Sequence, residues 1–473
     1  MTRAFLGSFA ILCMLVVGRA SAVEPWATYR GNTERTGCTD GKPGPATPRV
    51  LWVLKSKEHY IASPVPHGKR LFVSSLGAFN LARFACLDTE PAAKTRTLWS
   101  KSAPYLKLPT VSSPGIADGR LVFGDGMHQT DGATLHCLQA EGGLTLWQLP
   151  LPGKLVHLEG SPTIVDGKVY LGGGAAGVLC VDLDRLVFQG KEMKAAAIQK
   201  ILAKRWQELV ARYEEDKKKD PDFAVPPSED QLPRASPRRI WQQGDTKWHV
   251  DAPVAVVGDR VLVATAFLDK EQVGDRAIYC LDRESGKVRW RAPLKMNPWG
   301  GPSVVGKLVV VGGSTIGYEP EALRGAKGEV VALDLESGKV AWRKEVKGGV
   351  VSSVALADGV AVATATDGKV RAFDLTDGTS RWNYDAGAAF FAPPALTRGT
   401  VYAGDLRGVV HAIDLTNGAN RWTLDLGKHA EVLAPGMIYG GPVLQDGRLY
   451  VATCNLVGAN AGQPTAVVCI GEK

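Results

Sequence analysis

The sequence predicts an all-β fold: an eight-bladed β-propeller of four-stranded antiparallel blades, closed by pairing of its N- and C-terminal strands. Three observations lead there. A strand, an Asp-to-Gly turn and a strand ending in tryptophan recur along the 473-residue chain. A small residue with proline and a tight turn comes before each copy. The last copy stops one strand short, and the N-terminus has one strand to spare.

The motif is cleanest in four copies, Cys280–Trp290, Ala332–Trp342, Ala372–Trp382 and Ala412–Trp422. Looser copies end at Trp99, Trp147 and Trp241, and Trp52 stands without a preceding copy. The second signal runs from Ser63-Pro64 and Ser113-Pro114 through Ser161-Pro162, Ala252-Pro253, Gly301-Pro302, Ser353 and Ala392-Pro393 to Gly441-Pro442. Each is followed within a few residues by a turn such as Asp118-Gly119 or Asp358-Gly359, flanked by β-formers such as Leu308–Val311. These read as hairpins. One unit is four antiparallel strands over roughly 40–50 residues, the size of a propeller blade.

The ends make the case for closure. The unit from Gly441 to Ile470 has three strands and no tryptophan, and Val50–Val53 supplies the fourth. Closure removes the sheet edges that an open array would expose. The recurring residues have structural roles. Each Trp buries on the order of 150–250 Å² between blades. Asp282, Asp334, Asp374 and Asp414 are expected to bind turn amides ahead of a glycine at positive φ. Cys86, Cys137, Cys180, Cys280 and Cys469 share one repeat position with Ala332, Ala372 and Ala412, the exchange of a small buried hydrophobe. Cys38 and Cys454 fall outside this set, and a disulfide between them stays open.

Residues 1–22 read as a signal peptide: Arg3, an apolar run from Ala4 to Gly18, and Ala20-Ser21-Ala22 as the cleavage site. The run is shorter than the roughly 20 residues that span a bilayer, and Leu12 before Cys13 argues against lipidation. Residues 23–473 then form one propeller domain, exported to the periplasm or beyond and expected to be a monomer. Basic residues are scattered despite the net charge of +8, which excludes a nucleic-acid footprint. Blade three is interrupted over residues 190–238. Ile198, Ile201, Leu202, Leu209 and Tyr213 predict an amphipathic helix from Lys191 to Lys219, and a proline-rich tether brings the chain back. The helix is expected to pack on the flank, with partner docking as the alternative. Gly172–Gly177 satisfies a dinucleotide-binding spacing, but a strand follows it rather than a helix, so it reads as a hairpin turn.

Function is expected on the face that carries the longer loops, Phe267–Ala277, Ser314–Gly328 and Asn455–Thr465. The residues just before each inner strand should ring the central channel there: His59, Tyr60, His157, Glu159, His249, Asp251, Asn297, Trp299, Phe390 and Tyr439. His157-x-Glu159 and His249-x-Asp251 have the donor types for a divalent metal. They are read instead as a hydrogen-bonded polar rim, with no metal and no catalytic residue expected.

At Ala332–Trp342 the pattern Ala-x-Asp-x-x-Ser/Thr-Gly-x-x-x-Trp resembles the pyrroloquinoline-quinone-type propeller repeat family, and Trp26–Asn32 is similar to the lead-in of its exported members. That family takes in quinoprotein dehydrogenases and the outer-membrane-protein assembly factor BamB. The resemblance to the dehydrogenases implies a disulfide of adjacent cysteines over the quinone and a Glu/Asn/Asp calcium set. This chain has no adjacent cysteines, and the calcium set has no match. The expectation is therefore a BamB-like, non-catalytic scaffold without cofactor, docking a protein, a cell-envelope component or a polymer. The alternative is a quinoprotein-like or metal-dependent enzyme using the channel mouth.

Overall fold

The computed structural model describes residues 26, 28–38, 41–128, 130–244, 247–316, 320–323 and 325–472. The proposed signal peptide lies outside them. Eight sheets follow one another around an axis. Seven hold four consecutive antiparallel strands or elaborate that plan, beginning with Val65–His67, Arg70–Leu76, Ala82–Asp88 and Thr97–Lys101 as blade one. The eighth joins Val443–Gln445, Arg448–Ala452 and Thr465–Gly471 to the N-terminal strand Arg49–Ser56, in a register that pairs Val53 with Val468. The ring is closed as the sequence predicts.

The repeated residues form one joint between neighbouring blades. The indole N–H of Trp342 donates to the Leu375 carbonyl at the turn of the next blade, 2.8 Å away. Trp52, Trp99, Trp241, Trp290 and Trp382 make the same bond forward, at 2.8–3.3 Å. Trp422 donates to Pro45 of the N-terminal lead instead. The turn glycine completes the joint: Gly338 has φ +68°, and a Cβ there would stand 2.6 Å from the Trp290 ring. Both its backbone sign and its contact exclude a side chain. Asp334 Oδ1 accepts from the Ser337 amide at 2.8 Å, which holds this turn in place.

Blade three departs from the pattern in a definite way. Its third strand runs on as Val178–Phe188, turns at Gln189-Gly190 with φ of 50° and 78°, and returns as Lys191–Lys194. Two consecutive positive-φ residues are the signature of a tight hairpin, so the helix begins later than the sequence spacing suggests. This helix, α1, spans Ala195–Lys219. Ala195, Ile198 and Leu202 are buried with Trp147, Leu186 and Leu232 at the seam of blades two and three, whereas Ile201 and Val210 are exposed. The insertion occupies the place of the regular turn, and the Trp147 indole N–H has no partner among the described residues. On the return path Glu229 is buried, pairs with Lys101 and accepts from Thr145 Oγ1 at 2.7 Å.

One further expectation changes, and the open question of a disulfide is answered. Phe267–Ala277 is mostly strand, because Arg260–Leu268 and Val273–Asp282 pair to Leu268–Val273 and leave a short tip. No disulfide joins Cys38 and Cys454. Their backbones bridge to different blades, Cys38 to Leu396 of blade seven and Cys454 to Met437 beside blade eight.

The channel is filled from one side. The N-terminal segment lies along the inner strands: amides of Val256, Val304, Leu356 and Leu396 donate to the carbonyls of Thr33, Glu34, Thr36 and Gly37, each at 2.8 Å. Arg35 is fully buried there. Its guanidinium donates to the carbonyls of Val254 at 3.1 Å and Ser161 at 2.9 Å, tying blade three to blade four. Arg30 reaches the Pro394 carbonyl of blade seven. Burial lowers both guanidinium pKa values, to about 10 at Arg30 and about 9 at Arg35, and both remain cationic at neutral pH.

Candidate functional site: the blind mouth of the channel

With one end occupied, the other end of the channel is a blind cavity of about 610 Å³. All eight blades contribute the extended residues that lead into their inner strands, and Tyr29 of the N-terminal segment also lines it. Trp299, Phe391 and Tyr439 give it aromatic walls, and Phe391 meets Tyr439 edge to face at 5.5 Å. Glu159 and Asp251 give it carboxylates.

The ten residues expected at the mouth divide into three groups. Glu159, Asp251, Trp299 and Tyr439 line the cavity. His157 and His249 are fully buried behind the two carboxylates. The other four hold the wall from behind. Tyr60 packs in the core shared with blade eight and Phe390 in that between blades six and seven; Ile61 and Phe391 line the cavity instead. Successive side chains of an extended segment alternate in direction, so a one-residue shift turns each to the other side. Asn297 accepts from the Phe267 amide at 2.9 Å and donates to the Phe267 carbonyl at 3.0 Å. His59 Nδ1 accepts from the Asn455 amide at 3.1 Å.

One side chain of the cavity escaped the sequence reading. His128, on the turn between the second and third strands of blade two, lines the same cavity. Its ring centroid lies 5.3 Å from that of His157 and 5.5 Å from that of His249, and those two are 5.1 Å apart. One ligand atom from each of His128, His157, His249 and Asp251 falls within 4.8 Å of all the others. Asp251 Oδ1 is 3.0 Å from His249 Nε2 and 3.5 Å from His157 Nε2. Glu159 Oε1 is 3.5 Å from His157 Nδ1 on the far side of that ring, and it accepts from the His128 amide.

Part of the expected polar rim is hydrogen-bonded, at His59, Glu159 and Asn297, and its two histidines of blades three and four are held more loosely. Carboxylates approach the ring nitrogens of His157 and His249 at 3.0–3.5 Å, but these contacts fall short of regular hydrogen-bond geometry. Buried histidines elsewhere are satisfied: His136 pairs with Asp125 at 2.8 Å and with Gln148 at 2.9 Å. Burial pushes the His157 pKa down to about 4, so its ring is neutral at pH 7 and offers lone pairs. Burial and the Asp251 charge push Glu159 up to about 8. Burial alone would raise Asp251, but the His157 and His249 rings outweigh it and hold the carboxyl at about 2.

A pyrroloquinoline quinone fits this wall poorly. The quinone is a tricarboxylate; among the described residues lining the cavity there are two carboxylates and no Lys or Arg. Arg30 and Arg35 are turned to backbone carbonyls within the plug.

Solved structures share the architecture. BamB from Moraxella catarrhalis aligns over 89% of this chain and 97% of its own, with a TM-score of 0.56 and 14% identity. A europium-containing methanol dehydrogenase aligns over 94% and 98%, with a TM-score of 0.61 and 14% identity. A quinohemoprotein alcohol dehydrogenase from Pseudomonas putida HK5 covers 95% of this chain and 80% of its own, at a TM-score of 0.60 and 13% identity. At such identities the likeness shows the fold alone. No curated protein matches the chain. The family model described as outer membrane protein assembly factor BamB matches residues 44–206, 231–324 and 300–467, spanning the whole ring from the first strand to the last. The chain belongs to that family of PQQ-like propellers.

Proposed function

We propose that the protein is an exported, non-catalytic docking propeller of the BamB type, taking an extended segment of a protein partner into its channel mouth. The observation that carries this reading is the blind cavity, with a contribution from every blade and aromatic walls at Trp299, Phe391 and Tyr439. Rigid aromatic faces in a concave, largely apolar site suit recognition of a side chain or a chain end. The family description names outer membrane protein assembly, so the partner class proposed is a β-barrel precursor strand of alternating apolar and polar residues. Export rests on the sequence of residues 1–22.

A ten-residue peptide of that alternating pattern with a C-terminal phenylalanine is a direct probe. Fluorescence anisotropy should show saturable binding that weakens about tenfold or more in Trp299→Ala, the scale of a hot-spot residue, with the melting temperature unchanged. Equal affinity for wild type, Trp299→Ala and Tyr439→Ala would overturn the reading. Pyrroloquinoline quinone with calcium serves as the control: a rise of several degrees in melting temperature would favour a quinoprotein instead.

A further inference from the structure

We propose that His128, His157, His249 and Asp251 form a binding site for one divalent first-row transition ion, of the zinc class, in the wall of the channel mouth. This goes beyond the docking reading and does not depend on it.

The four donors come from three blades: His128 from a turn of blade two, His157 from the lead into blade three, and His249 and Asp251 from the lead into blade four. The His157 and His249 rings are fully buried, and the carboxylates that approach their nitrogens at 3.0–3.5 Å fall short of regular hydrogen-bond geometry. Leaving buried polar atoms unpaired is costly, and His136 shows that this fold pairs a buried imidazole where nothing else is needed. A cation at the centre of the cluster would satisfy two of those nitrogens and Asp251 Oδ1 together.

The spacing suits such an ion. Tetrahedral zinc with bonds of about 2.0–2.1 Å places its ligand atoms about 3.4 Å apart. Asp251 Oδ1 stands 3.0 and 3.5 Å from the Nε2 atoms of His249 and His157. All four ligand atoms lie within 4.8 Å of one another, and His128 is the exposed member of the set. Three imidazoles and a carboxylate are borderline donors that favour zinc and its neighbours over calcium or magnesium. Glu159 stands behind His157, in the position of the outer-shell carboxylate that orients a metal-bound ring. Its bond to the His128 amide also ties the turn to the site. His128 and Asp251 both line the cavity, so the ion would face a docked ligand.

The test is calorimetric titration of the mature chain, freed of any affinity tag and treated with chelator, with zinc chloride and separately with manganese chloride. One equivalent should bind. His128→Ala, whose side chain is exposed, should keep the wild-type melting temperature and lose about 10- to 100-fold in affinity, and Glu159→Gln should lose about tenfold. The double variant His157→Ala/His249→Ala should give a flat titration, with near-UV circular dichroism reporting on its fold. Flat titrations of the wild type with both metals would overturn the proposal, as would unchanged affinity in a folded His128→Ala protein. Trp299→Ala should bind zinc like the wild type, so loss of peptide binding and loss of metal binding are read separately.

Discussion

At the residue scale, the fold rests on a three-part joint of tryptophan, aspartate and glycine. Six of the eight repeat tryptophans donate to a carbonyl at the turn of the next blade, and Asp and Gly give turns such as Asp334–Gly338 their shape. Trp342→Ala would remove both the packing and the donor. It is expected to cost about 3–5 kcal/mol, measurable as a shift of the urea midpoint without a change in slope. This joint was legible in the sequence because the same physical demand recurs in blade after blade. Arg30 and Arg35 were not legible, since each occurs once and bonds mainly to backbone carbonyls that leave no mark on residue type. His128 was hidden for a related reason: it sits on a loop, outside the repeat, and only the curvature of the ring brings it to His157 and His249.

At the element scale, α1 shows where periodicity misleads. The apolar spacing of Ile198, Ile201, Leu202, Leu209 and Tyr213 points to a continuous buried stripe, yet Ile201 is exposed and burial fades along the helix, from Ile198 and Leu202 to the half-buried Trp206 and Leu209. The Gln189-Gly190 turn builds a hairpin before the helix can start, and the last turns of the helix are exposed. The two halves should respond differently to substitution. Ile198→Ala or Leu202→Ala should cost about 2–5 kcal/mol, whereas Val210→Asp should stay within about 0.5 kcal/mol of wild type. Chemical denaturation of the three variants checks both halves. A comparable loss at Val210 would mean that the distal half has a packing partner. The leads into the inner strands carry a milder version of the same lesson. Their place at the mouth was legible, but the pleat decides that Ile61 and Phe391 face the cavity rather than Tyr60 and Phe390.

At the scale of the whole molecule, the chain is a closed ring with a sealed end and an open end. The terminal strands Arg49–Ser56 and Thr465–Gly471 close it. The segment ahead of them fills the channel and turns a pore into a pocket. Closure was legible from the count of strands. The plug was not, because a segment without periodicity gives no sign of what it lies against. Together they leave one open mouth, where eight leads, an aromatic wall and the histidine cluster converge. The most direct test is hydrogen–deuterium exchange with and without the strand peptide. The account predicts added protection at residues 61–63, 159–161, 251–253, 299–302, 391–393 and 439–441, with α1 unchanged. Protection confined to α1 or to the outer edges of the blades, with the mouth unaltered, would contradict it.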